Sequence, residues 1–215
     1  MKCVDKELFR INHLQYKNII EIDFHVFRSG KITCITGESG AGKSTFLKLL
    51  NAIYELDSGE IYFKGVSIKS WDPIQLRRDV MMVSQTPYII DGSIEDNLQL
   101  GKFYLSKQKA SKEEMTQVLQ ELSLEKELKE NANNLSGGEK QRLALARVML
   151  MNPSVYLLDE PTSAMDDETA MKVMKSFIHK AKSRKQTIIM ITHSKMLEEN
   201  LAEETFHLKK LEGRK

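Results

Sequence analysis

Gly37-Glu38-Ser39-Gly40-Ala41-Gly42-Lys43-Ser44 decides the reading of this chain, because a short apolar run precedes it and a helical pattern follows. The stretch satisfies G-x-x-x-x-G-K-[ST], and strand–loop–helix is the context in which that motif wraps a phosphate. Its glycines let the backbone approach an anion closely, and its successive N–H groups form a nest. Gly37, Ser39, Gly40, Ala41 and Gly42 are therefore candidate phosphate-binding positions, with Thr45 helping at the helix start. Lys43 adds a point charge for the β- and γ-phosphates, and Ser44 Oγ suits a Mg²⁺ ligand.

Working outward, Lys31–Thr36 reads as the strand before the loop. Ser44–Tyr54 reads as the helix after it, with Phe46, Leu47, Leu50 and Ile53 at helical spacing. Upstream, Asn18–Phe27 alternates, with Ile20, Ile22, Phe24 and Val26 on one face, which predicts a half-buried strand. Asp57-Ser58-Gly59 and Lys64-Gly65 punctuate a hairpin. Val80–Val83 is a strand leading to Gln85. Ser93 starts a short helix, and Ser111-Lys112-Glu113-Glu114 is a capping box before another. Lys102–Asn133 reads as a small helical insert, and Glu139–Asn152 as a helix stopped before Pro153.

Beyond Pro153 the chain alternates: a strand at Val155–Leu158, a helix near Asp167–Lys182, a strand at Thr187–Ile191, then a helix after His193. These strands are apolar throughout, as expected of a parallel sheet covered on both faces. The expected fold is α/β: a P-loop NTPase core with a mainly parallel sheet, an N-terminal antiparallel β part and a small helical subdomain. The expected organisation is one domain over 1–215, with the core in 1–85 and 154–215 and the helical subdomain in 86–153.

Composition narrows the function classes. The chain has 215 residues, 41% hydrophobic and 29% charged, in the range of a globular domain. A net charge of +2 gives no reason to expect a nucleic-acid partner. No apolar run approaches the roughly 18 residues of a membrane helix, and Met1–Glu7 lacks a signal-peptide core. Cys3 and Cys34 make no disulfide framework; Cys34, inside Ile32-Thr33-Cys34-Ile35, is expected to be a buried structural thiol. That cysteine usage suits a cytosolic setting. His13, His25, His179 and His207 show no metal spacing, and Lys209–Lys215 reads as a solvated basic tail.

Two further constellations carry chemistry. Leu135-Ser136-Gly137-Gly138-Glu139-Lys140-Gln141-Arg142 puts a hydroxyl and two glycines just ahead of a helix, which suits a phosphate. Val155-Tyr156-Leu157-Leu158-Asp159-Glu160 ends an apolar strand in two acids. One carboxylate there can hold a metal, and the second can polarise a nucleophilic water.

Taken in order, the phosphate loop, Gln85, the Leu135–Arg142 peptide, Asp159-Glu160, Ser163-Ala164-Met165-Asp166 and His193 resemble the motif set of ATP-binding cassette (ABC) ATPases. The resemblance runs from about Tyr16 to His193, nearly the whole chain. It implies ATP and Mg²⁺ as cofactors. Asp159 would be the Walker B metal carboxylate and Glu160 the general base. Gln85 would touch Mg²⁺ and the attacking water, and His193 the γ-phosphate; with Lys43 these form the catalytic set. Ser136, Gly137 and Gly138 would contact the ATP held by a second copy of the protein, and Asp166 would lie at the dimer seam. Tyr16 would stack on adenine, against the alternative of a hairpin core tyrosine.

The resemblance also implies a separate transmembrane permease subunit as partner and a place on the cytoplasmic face of the membrane. Gln85–Asn97 is similar to the segment after the glutamine in exporter-type cassettes, whereas Asn131–Asn134 lacks the Glu-Gly element of fused exporters. Met165 stands where the family usually has Leu. The chain thus resembles the short ATPase subunits of iron-efflux-type systems, and export is the expected direction. Two other classes stay open: a membrane-linked regulatory ABC ATPase, as in cell division, and a nucleotide sensor that binds without turnover.

Overall fold

The computed structural model describes residues 6–104 and 108–211; Cys3 and the tail residues beyond Leu211 lie outside them. In chain order the elements are β1 (Glu7–Tyr16), β2 (Ile20–Arg28), β3 (Ile32–Thr36), α1 (Lys43–Leu50), β4 (Ser58–Phe63), β5 (Val66–Ser67), α2 (Pro73–Asp79), β6 (Val80–Val83), α3 (Ile94–Tyr104), α4 (Lys112–Glu121), α5 (Gly137–Met151), β7 (Val155–Asp159), α6 (Asp167–Ser183), β8 (Thr187–Ile191), α7 (Lys195–Leu201) and β9 (Glu204–His207). β6-β7-β8-β3-β9 form one sheet and β2-β1-β4-β5 another. Every pairing in the first is parallel, and every pairing in the second is antiparallel. The fold is the expected α/β arrangement.

The parallel sheet is the middle layer, and the two-residue side-chain period of its strands divides the core. Val155, Leu157, Ile189 and Ile191 point to one side, where they pack with Phe46, Leu47 and Leu50 of α1 and with the antiparallel sheet. Tyr156, Leu158, Ile188 and Met190 point to the other and meet Val173 and Phe177 of α6. Residues of α3, α4 and α5 join that same cluster, so the helical part shares its core with the sheet. Cys34 lies in this cluster, and burial pushes its thiol up to about 12, which makes it an inert core residue. Truncating a side chain such as Leu157, which is fully buried, costs about 2–5 kcal/mol.

The structure departs from the sequence reading in several places. β1 was not expected. Its buried face switches in the middle: Phe9 and Ile11 point inward before His13, Leu14 and Tyr16 after it. His13 takes φ +47°, and the register against β4 shifts between Asn12 and Gln15. β2 follows the same switch. Ile20 and Ile22 are buried, but the inward residue then becomes Phe27, and Phe24 is 63% exposed. α1 stops at Leu50, leaving Ile53 outside it and exposed. α2, capped by the Asp72 side chain with Pro73 in its first turn, and β9 were also not expected. α5 begins at Gly137, so both glycines of the peptide lie inside the helix.

Candidate nucleotide site

The phosphate loop leaves the end of β3 beside the end of β9. Leu208 N–H donates to Thr36 O at 2.8 Å. Gly37 has φ +142°, and a Cβ there would stand 2.3 Å from Leu208 O, so only glycine fits this approach. α1 starts after Gly42 with no side-chain cap, which leaves its first-turn N–H groups facing the loop. Such N–H groups, at the positive end of the helix dipole, favour an anion. Lys43 is buried, and its Nζ donates to Gly37 O (2.8 Å) and Glu38 O (3.0 Å), which holds the ammonium over the loop. Ser39 and Gly40 are exposed at the loop tip, and Ala41 is buried beneath it.

Three neighbouring strands deliver the polar cluster from their C-terminal ends, where open α/β sheets place ligands. β7 ends in Asp159, paired in register with Ile191 at the end of β8. Glu160 follows with φ +48°, its N–H donating to Ile191 O at 3.0 Å. This turn sends the two carboxylates apart. Asp159 Oδ1 accepts from Ser44 Oγ at 2.9 Å. Glu160 Oε2 accepts from Gln85 Nε2 at 3.0 Å, just past the end of β6, and Glu160 Oε1 lies 3.1 Å from His193 Nε2, just past β8. A non-glycine residue in this backbone region costs on the order of 1–3 kcal/mol, a kind of strain that concentrates at functional sites.

Burial pushes the Asp159 carboxyl above its ordinary range, opposed by the hydrogen bond from Ser44 and assisted by the neighbouring Glu160 charge. The Ser44 hydroxyl and Asp159 carboxylate are hard oxygen donors side by side, a set that fits Mg²⁺.

The Leu135–Arg142 peptide is built differently. Ser136 caps α5 in a capping box: its Oγ accepts from Glu139 N–H (3.3 Å), and its own N–H donates to Glu139 Oε2 (2.8 Å). Gly137 and Gly138 form the first turn. A Cβ on Gly138 would stand 2.8 Å from Ala164 O, so the glycine lets α5 close onto the loop after Glu160. Among the described residues no hydrogen bond or ion pair joins Ser136–Gly138 to Gly37–Thr45. Asp166 caps α6 by accepting from Thr169 N–H at 2.9 Å, and these backbone contacts hold its carboxyl below the usual range.

Tyr16 is only 5% exposed, and its ring stacks on Tyr54 with centroids 5.8 Å apart. Tyr54, which the sequence reading did not single out, is the more exposed ring of the pair.

Two other residues escaped the sequence reading. Gln141, on α5, is 3% exposed and hydrogen-bonds into the segments that carry Gln85, Glu160 and Asp166. Arg147, also on α5, donates to Tyr88 O and to Asn97 O and Oδ1, each at 2.7 Å. It fixes the segment that follows Gln85 and lines a groove with Arg77, Met82, Pro87, Tyr88 and Met151. Neither was legible, because a polar residue in a helical pattern is ordinarily read as solvent-facing. Among the described residues no helix is long and apolar enough to cross a membrane.

The geometry agrees with what the chain is similar to. The ABC transporter family profile matches residues 21–163. The lactococcin-A transport/processing ATP-binding protein LcnC of Lactococcus lactis subsp. lactis is 38% identical over 188 residues, 82% of this chain but 25% of that protein. The phosphate import ATP-binding protein PstB of Borreliella afzelii (strain PKo) is 36% identical over 204 residues, 89% of this chain and 77% of that protein. Among solved structures, a bacterial Atm1-family ABC exporter with ATP bound superposes with a TM-score of 0.84 at 25% identity, over 97% of this chain and 39% of that one. A putative ABC transporter ATP-binding protein from Pyrococcus furiosus gives 0.80 at 25% identity, over 93% of this chain and 96% of that one. The chain thus spans a quarter of the lactococcin relative and most of the importer relative. With the family profile matching residues 21–163, most of its length, the chain belongs to the ABC transporter family.

Proposed function

We propose that the chain binds ATP with Mg²⁺ and hydrolyses it, as the motor part of an ABC transporter that closes as a dimer around two ATP molecules. One observation carries this reading: Ser44 stands on Asp159 while Glu160, on the next residue, stands between Gln85 and His193. Phosphoryl transfer needs an in-line water and charge neutralisation more than covalent chemistry. Mg²⁺, when bound, neutralises phosphate charge; Ser44, Asp159 and Gln85 are the residues that would hold it.

Gly37–Ser44 cradles the phosphates through backbone N–H groups, with Lys43 turning from the loop carbonyls to the β- and γ-oxygens. Glu160 accepts the proton of the attacking water, a step for which Gln85 and His193 hold both of its oxygens in place. His193 then faces the γ-phosphate. Tyr16, through its stacked pair with Tyr54, supports the adenine. Ser136, Gly137 and Gly138 reach the γ-phosphate bound by the second copy, and Asp166 meets that copy at the seam.

The groove beside Tyr88 and Arg147 supports docking of a transmembrane permease on the cytoplasmic face. We read the direction as export from the Gln85–Asn97 segment, since the relatives include both an importer and an exporter. Mg²⁺-dependent ATP turnover by the purified protein, together with copurification of a multi-span membrane protein, is the expected result. Turnover absent with and without that partner would overturn the ATPase reading, and uptake of cargo into cells would overturn the direction.

A further inference from the structure

We propose that Gln141 is a positioning residue that ties the place of α5 to the posture of Glu160 and Gln85; this rests on the ATPase reading above. Its amide is almost fully buried, and each end of it has a partner on another segment. Oε1 accepts from Ala164 N–H at 3.0 Å, and Nε2 donates to Ser163 Oγ at 2.8 Å. The same Nε2 lies 3.4 Å from Gln85 O and 3.5 Å from Glu160 O. An amide nitrogen carries two hydrogens, so one serves Ser163 and the other is shared between the two carbonyls.

One side chain therefore bridges the backbone of both residues that orient the attacking water and of the loop leading to Asp166. Its two longest contacts are the ones to Gln85 and Glu160. They sit at the far edge of hydrogen-bond range, where strength falls steeply with distance, so a shift of α5 by less than an ångström makes or breaks them. The Glu160 backbone N–H is held by Ile191 O at 3.0 Å, whereas its carbonyl takes two longer contacts, from Ser163 N–H at 3.3 Å and from Gln141 Nε2 at 3.5 Å.

Gln141 lies on the helix whose first residues are Gly137 and Gly138, roughly one and a half turns from the Ser136 cap. Whatever draws the Ser136 end of α5 toward a second copy's nucleotide moves Gln141 with it. Contact with the second copy is thereby reported to this chain's own water-orienting pair through one amide.

The test compares Gln141→Glu, which keeps the acceptor for Ala164 and loses the donor, with Gln141→Met, which loses both at similar volume. Both variants are expected to lower kcat about 10–100-fold, the scale of an ångström-sized misplacement. ATP affinity of the monomer and KM stay near the wild-type values, so that the loss falls on kcat alone. Unchanged kcat per folded molecule in both variants, beside an active wild type, overturns this proposal alone. A fall in kcat that merely follows lost ATP affinity or lost folded protein, measured by Tm and fluorescence titration, also overturns it. An inactive wild type overturns the ATPase reading and this proposal with it.

Discussion

The phosphate loop and the Leu135–Arg142 peptide both set a serine and glycines at a helix start, yet the two ends are wired in opposite ways. At the loop, no side chain caps α1, and the Ser44 hydroxyl reaches across to Asp159 on another strand. At the peptide, the Ser136 oxygen closes a capping box on its own helix, and Gly138 packs against Ala164 of its own chain. The first end brings a hydroxyl and a carboxylate from different elements to one place. The second is finished as a piece of local structure and, among the described residues, makes no hydrogen bond or ion pair to that place. The Ser136 oxygen is used as an acceptor, however, so its proton stays available for a phosphate. This contrast is what supports the proposal that a second molecule completes the site.

Ser136→Arg is the largest expected effect that probes this contrast. Hydrolysis falls to background while ATP binding by the monomer is retained, as read by parallel turnover and titration assays; weakened monomer binding would place Ser136 in its own chain's site. Glu160→Gln comes next. It keeps ATP binding and slows hydrolysis by about 10²–10⁴-fold, the scale of a lost general base. Single-turnover assays check it, and near-normal turnover would remove Glu160 from that role.

Gly138→Ala then tests the packing of the outward half. Forcing a methyl against Ala164 O costs about 1–3 kcal/mol. That corresponds to a Tm lower by roughly 2–10 °C in a chain of this size, measurable by thermal denaturation. An unchanged Tm would show that the glycine is kept for something other than this contact.

The smallest effect concerns the inward half. Because burial raises the Asp159 carboxyl, its contribution to stability is fully present below its unfolded-state value and is lost as pH rises through its folded-state value. Once ionised, the Asp159 carboxylate is therefore an unfavourable buried charge. Asp159→Asn removes that charge and raises Tm, by less than Gly138→Ala lowers it, as thermal denaturation would read. The gain disappears in acid, where Asp159 is already protonated. A rise that persists in acid would assign it to something other than the charge.

Much of this was legible from the chain. The loop can be read because wrapping a phosphate demands glycine and lysine at fixed spacing, and buried parallel strands can be read because they admit only apolar residues. Val80–Val83 and Thr187–Ile191 fall where their apolar runs place them. β1 was hidden because His13 breaks the two-residue period halfway along. β9 was hidden because none of its four residues is fully buried and Thr205 and His207 are exposed, so it carries little apolar pattern. α2 did leave a signal, since Asp72-Pro73 is a cap followed by a first-turn proline, but seven residues give scant periodicity. Gln141 could not be read at all. Its burial arises only when the Gln85, Glu160 and Ser163 segments meet over α5, which no local pattern encodes.

Mixing two dead variants tests the shared site most directly. Lys43→Ala disables the loop half and Ser136→Arg disables the peptide half. If the halves come from different copies, each mixed dimer carries one wholly intact site and one doubly broken site. An equimolar mixture of the two variants should then recover roughly a quarter of wild-type turnover, since half of the dimers are mixed and each has one working site of two. Turnover of the mixture no higher than that of either variant alone would contradict a site built from two copies.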